Sequence, residues 1–228
     1  MTARTEVGSV NVAELILCDV SKMALLSHFP RTELFQGDQK LGGPQVRDWA
    51  EWQKPYVNGV VLIWPPAEIR SYINPLREKY DSKSQSYSEA HVSLTPPFRN
   101  PPTDHDWQTL ESAAKQFASF DITLGPAEGW LSQSVIYLEV RPVEQLLKLR
   151  DGLLETQLFG EPSFRSFVPH MTITEGLSGI PVTAELLVML HKTIQVRSFY
   201  CDHLTYLRPD ASFSFRAERS IALGRWKL

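Results

Sequence analysis

The chain has 228 residues, of which 43% are hydrophobic, enough apolar material for the core of one large domain or two small ones. Its net charge of −3 comes without a basic stripe, so a groove for long nucleic acid is not expected. Two cysteines, Cys18 and Cys201, give neither a disulfide framework nor a metal-type spacing, and no long uncharged apolar run spans a membrane, so a soluble, cytoplasmic protein is expected.

Residues 1–56 read as an N-terminal extension with one helix around Ala13 to Leu26, where Asp19 and Lys22 interrupt the apolar run and argue against a signal peptide. Residues 57–228 hold the main domain. Val57 to Trp64 predicts a buried strand, and Pro66 to Tyr80 a helix with Ile69, Tyr72, Ile73 and Leu76 on one face. Pro75 is expected to kink or end that helix near Asn74. A serine-rich polar loop, Asp81 to Ser88, leads into a strand at His91 to Thr95. Beyond the stiff loop Pro96 to Pro102 come a helix at Asp106 to Ser119 and strands at Phe120 to Leu124 and Gln133 to Arg141. Then follow a helix at Val143 to Gln157, a strand at His170 to Thr174 and a helix at Val182 to Ile194. Two closing strands, Val196 to Leu207 and Ser212 to Leu223, complete the chain.

One pattern occurs twice in this order. His91-Val92-Ser93-Leu94-Thr95 is matched 79 residues later by His170-Met171-Thr172-Ile173-Thr174. Alternation along a strand puts the histidine and hydroxyl residues of each copy on one face and the apolar residues on the other. The preceding context repeats as well, a β-branched run, a proline at a helix start and an amphipathic stretch, with 25 residues from Pro66 to His91 and 28 from Pro142 to His170. A duplication implies a pseudo-twofold axis that brings the two histidines face to face. The fold expected is α/β (α+β): duplicated strand-helix-strand lobes whose two small, antiparallel-rich sheets flank a cleft, with helices outside.

These paired His-x-Ser/Thr motifs resemble the two-histidine (2H) phosphoesterase superfamily, whose LigT-like members include RNA 2′,3′-cyclic phosphodiesterases. The run Val168-Pro169-His170-Met171-Thr172 carries the proline-then-histidine form common in that family. The resemblance implies a metal-independent phosphodiesterase with no cofactor, acting on the 2′,3′-cyclic phosphate of a nucleotide or an RNA terminus. It assigns His91 and His170 to proton transfer, and Ser93 and Thr172 to the phosphoryl oxygens.

The residue types suit that work. Opening a cyclic phosphodiester needs a base for water, an acid for the leaving ribose oxygen and donors where charge gathers. Imidazole serves both proton roles near neutral pH. Which histidine is base and which acid stays open at this point. Weaker candidates surround the pair: Thr95 and Thr174 as supporting hydroxyls or plain strand formers, and Phe98 and Arg99 as base stack and phosphate clamp or turn residues. Tyr87, Phe164 and Phe167 are candidates for a nucleobase pocket, with core packing as the competing role. Glu175 and Gly176 follow the second motif where the family often has a basic residue, so Arg99 or Arg165 would have to stand in as the clamp. A non-catalytic nucleotide or RNA-end binding protein and a 2′-5′ RNA ligase-type activity are the alternative readings.

Overall fold

Both strand-helix-strand repeats are present in a computed structural model that describes residues 48–162 and 166–225. The first is β1 (Val60–Ile63), α1 (Ala67–Tyr87) and β2 (Val92–Ser93). After α2 (Asp104–Ala114) and β3 (Phe120–Trp130), the second is β4 (Val135–Arg141), α3 (Val143–Leu154) and β5 (His170–Thr174). Then come α4 (Ala184–Thr193), β6 (Arg197–Cys201), β7 (His203–Pro209) and β8 (Phe215–Ala222). The strands form two antiparallel four-stranded sheets, ordered β2-β1-β7-β8 and β5-β4-β3-β6, as the duplication implies. Each histidine motif therefore supplies an edge strand, and β2 lies against β5 without hydrogen-bonding to it.

Alternation decides which face each strand buries. Val61, Ile63, Val92 and Leu94 of one sheet and Ile136, Leu138, Met171 and Ile173 of the other enter a single core, together with Ile73, Leu110, Leu149 and Leu190 from the four helices. At about 1.5–3 kcal/mol for each large apolar side chain buried, this shared core binds the halves into one unit. The opposite faces carry His91 and Ser93 of the first motif and His170 and Thr172 of the second.

Three sequence expectations are corrected. Helix α1 runs through Pro75 and breaks at Asp81 (φ −159, ψ 67), so the expected loop from Asp81 to Ser88 is mostly a second helical segment. Ser71 and Pro75 both face solvent, where water replaces the hydrogen bond that proline removes. Asp81 breaks the helix because its buried carboxylate accepts the backbone N–H groups of Ser84 (3.3 Å), Glu175 (2.9 Å), Leu177 (3.2 Å) and Ser178 (3.0 Å). The single strand expected from Val196 to Leu207 is two strands in different sheets, parted at Asp202. The first histidine motif is also less extended than expected, since only Val92 and Ser93 pair with β1. The helix expected at Ala13 to Leu26 lies outside the described residues.

The described end of the N-terminal extension packs on the first sheet. Trp49 Nε1 donates to the Ala211 carbonyl (2.9 Å), and Trp49, Trp52 and Tyr56 meet Phe213 edge-on. The turn Lys54–Asn58 enters β1 through Gly59 at φ 77, where a Cβ would stand 2.4 Å from the Tyr206 ring.

Asp81→Ala would leave three loop N–H groups beyond β5 without their acceptor. It is expected to lower unfolding free energy by about 3 kcal/mol in urea denaturation. A loss below about 0.5 kcal/mol, the range of an ordinary surface substitution, would contradict this account.

Candidate active site

The two histidines are held in the same way. His91 Nδ1 lies 2.7 Å from the carbonyl of Glu89, and His170 Nδ1 lies 2.7 Å from the carbonyl of Val168, each two residues upstream. A carbonyl only accepts, so Nδ1 carries the hydrogen in the neutral ring and Nε2 presents its lone pair. No hydrogen bond from either Nε2 to a described residue is present.

Helix α1 fixes the first of these turns. Glu89 accepts from Arg70 Nε (2.7 Å) and Asn74 Nδ2 (3.2 Å), while the Ala90 N–H donates to Asn74 Oδ1 (2.8 Å). Strand pairing fixes the second, with Glu139 opposite His170 and Tyr137 opposite Thr172. A tryptophan flanks each ring: Trp64 stacks on His91 at 6.5 Å, and Trp130 meets His170 edge-on at 5.0 Å.

Buried Arg77 connects the two motifs. Its Nη1 donates to the Thr172 carbonyl (2.5 Å), Nη2 to the Ser88 carbonyl (3.1 Å) and Ser84 Oγ (3.1 Å), and Nε to Gln85 Oε1 (2.9 Å). One guanidinium thus holds the backbone of both histidine segments. Burial pushes the His91 pKa down to about 4, helped by the charges of Arg77 and His170 and opposed by the Glu89 carbonyl. Burial also lowers His170, against the Val168 hydrogen bond and the charge of Glu175. For Asp81, burial would raise the pKa, but hydrogen bonds from Glu175, Ser178, Ser84 and Leu177 outweigh it and hold the carboxyl below its ordinary value.

The residues expected at the site divide cleanly. His91 and His170 are half-buried, Thr172 likewise, and Ser93 is exposed. Neither the Ser93 nor the Thr172 hydroxyl is hydrogen-bonded to another described residue. Thr95 and Thr174 turn inward instead. Thr95 Oγ1 bonds both the N–H and the carbonyl of Val61, and Thr174 Oγ1 lies 3.4 Å from Asp81 Oδ2 and accepts the Gly176 N–H. Each supports its own strand end. Phe98 is no base stack: it is buried against Phe159, Trp107 and Tyr206. Arg99 donates to the Phe159 carbonyl and pairs with Glu161 (2.9 Å), pinning the proline-rich loop. Tyr87 packs on Trp52 and Phe213, and Phe167 lies under the Arg150 guanidinium at 4.6 Å. Phe164 and Arg165 lie outside the described residues. No helix among the described residues is long and apolar enough to cross a membrane, and no three His, Cys, Asp or Glu side chains among them are grouped to hold a metal ion.

Arg77, Trp130 and Tyr137 are site neighbours that the sequence reading missed. A signal for Arg77 existed: Ile69, Ile73, Arg77 and Asp81 recur at every fourth residue, so the apolar face of α1 continues into two charges. Trp130 and Tyr137 had none, because their approach to His170 depends on the β3-β4-β5 register.

The sequence pattern of the 2′-5′ RNA ligase superfamily matches residues 65–212, a span holding both histidine motifs. A Geobacillus kaustophilus protein with a provisional phosphoesterase name is 29% identical over 127 residues, covering 52% of this chain and 69% of that protein. A similarly named Bacillus pumilus protein is 28% identical over 123 residues, covering 52% and 70%. The solved structure of E. coli LigT complexed with 3′-AMP aligns with a TM-score of 0.48 at 23% identity, over 73% of this chain and 97% of that one.

Between pH 6.5 and about 4 the unfolded chain takes up a proton at His91 that the folded protein refuses. Unfolding free energy therefore rises with pH across that window, by up to about 3 kcal/mol from this group. Urea titrations from pH 4 to 7 should show the rise, and His91→Gln should lose that share of it. An identical slope in the variant would refute the depressed pKa.

Proposed function

Because this chain belongs to the 2′-5′ RNA ligase superfamily, whose relatives bear phosphoesterase names, we propose that it is a metal-independent phosphodiesterase. It opens the 2′,3′-cyclic phosphate of a nucleotide or an RNA terminus to a monoester by His/His general acid-base catalysis. The observation that carries this reading is the repeated geometry: two rings anchored through Nδ1 at 2.7 Å, each offering Nε2, with an unpartnered hydroxyl two residues further on.

The roles follow from the two environments. His91, pushed to about 4, is neutral across the physiological range and takes a proton from the attacking water. Water oxygen forms the new bond to phosphorus as the bond to one ribose oxygen breaks. His170, depressed as well but by burial that the Val168 carbonyl and Glu175 oppose, is the acid that protonates the departing oxygen. Ser93 and Thr172 donate to the non-bridging oxygens, where charge increases in the transition state. An anionic substrate favours the protonated form of the acid, so the His170 pKa rises in the complex.

His91→Ala and His170→Ala should each lower kcat/KM on adenosine 2′,3′-cyclic phosphate by about 10²–10⁴-fold, with folding retained and with chelator present throughout. Activity in the double alanine variant equal to the parent's would end the proposal. The parent's kcat/KM should decline above a pKa below 6.5, that of free His170, while kcat should hold to higher pH. Coincident alkaline limbs would contradict the assignment of His170 as the acid.

A further inference from the structure

Cross-strand partners share one face of a sheet, so the register across β5, β4, β3 and β6 orders the open face of the second sheet into rows. Thr172 stands beside Tyr137, and His170 beside Glu139. The next row along β4 is Arg141, paired with Thr123, which pairs in turn with Ser198. This row lies two residues, about 7 Å, along the strand from His170.

The three side chains form a donor set that the reaction above does not use. The Thr123 and Ser198 hydroxyls are 3.0 Å apart, and the Arg141 side chain is 64% exposed. Its only ion pair among the described residues is with half-buried Glu139, at 2.6 Å. Exposed pairs of this kind contribute about 1 kcal/mol or less, so a phosphate that takes both prongs of the guanidinium competes with it. The following row places Tyr200 opposite Asp121. Tyr200 is 61% exposed and lines a cavity of about 290 Å³ with Trp64, Arg70, Asp202 and His203, and Trp64 is the ring stacked on His91. Row and cavity thus both adjoin the histidine pair. The carboxylates of Glu139 and Asp121 on either side confine the row to a single phosphate.

On the basis of the catalytic reading above, we propose that the row Arg141, Thr123 and Ser198 is a second phosphate subsite, holding a phosphoryl group of the substrate about one nucleotide away from the bond that is cut. A 5′-terminal monoester and an internal phosphodiester of an RNA strand offer the same chemistry.

The test compares binding of adenosine 3′,5′-bisphosphate with 3′-AMP by calorimetry on the full chain, for the parent, Arg141→Gln and Thr123→Val/Ser198→Ala, each first shown to melt like the parent. The parent should favour the bisphosphate by about tenfold or more, as a charge-assisted bidentate contact gives, and both variants should lose that preference while 3′-AMP affinity holds. Taking the ratio cancels any effect of the freed Glu139 on His170. No preference in the parent, or a ratio in the variants unchanged from the parent's, overturns the subsite. In parallel, kcat/KM is measured on adenosine 2′,3′-cyclic phosphate, its 5′-phosphorylated form and the ApA dinucleotide ending in a cyclic phosphate. The form whose advantage Arg141→Gln abolishes names the natural phosphate, a monoester or an internal diester. A bisphosphate preference that depends on the row, in a protein that opens no cyclic phosphate, would sink the catalytic reading and leave the subsite standing. Turnover of all three forms with no effect of the row would do the reverse.

Discussion

The seam between the edge strands β2 and β5 is closed by one helix, and the placement of both histidines depends on it. An edge strand exposes unpaired backbone groups, and two edges brought together without hydrogen-bonding leave polar atoms between them. Arg77 fills the seam, donating to the Thr172 carbonyl on one side and the Ser88 carbonyl on the other. Four residues later, Asp81 gathers the N–H groups of the loop that follows β5. A buried charge is costly unless its donors and acceptors are satisfied, and here each ion is surrounded by partners from both repeats. That is why helix α1 breaks at Asp81 and not at Pro75.

The same seam sets the electrostatics. Arg77 brings a positive charge toward the histidines with its guanidinium engaged by protein acceptors. Together with burial it keeps His91 neutral, the condition a general base needs. At His170 the charge of Glu175 opposes the effect of burial. Two histidines with matching hydrogen bonds thereby sit in different electrostatic surroundings, the difference on which the proposed division of proton roles rests.

Much of this was legible in the chain. His91, Ser93, His170 and Thr172 stand out because the pattern occurs twice in phase, and the period-2 alternation put Val92, Leu94, Met171 and Ile173 in the core, where they lie. The second hydroxyl of each motif supports the fold, for one common reason. Thr95 and Thr174 sit where each strand leaves its sheet, so alternation no longer governs them and both hydroxyls bond protein atoms. The direction of Phe98 and Arg99 could not be read from their nearness in sequence to His91, and the loop carries them toward Phe159 and Glu161.

By itself the sequence determined the local periodicities, the duplication and the identity of the groups able to move protons, since these depend on residue type and spacing alone. Only the tertiary structure decided that β6 and β7 part at Asp202 to join different sheets, and that the edges of β2 and β5 face each other across Arg77. It likewise decided that Trp130 and Tyr137 flank His170 and that Arg141, Thr123 and Ser198 fall in one row. These depend on long-range register and on which buried charges find partners, and both are settled when distant segments pack.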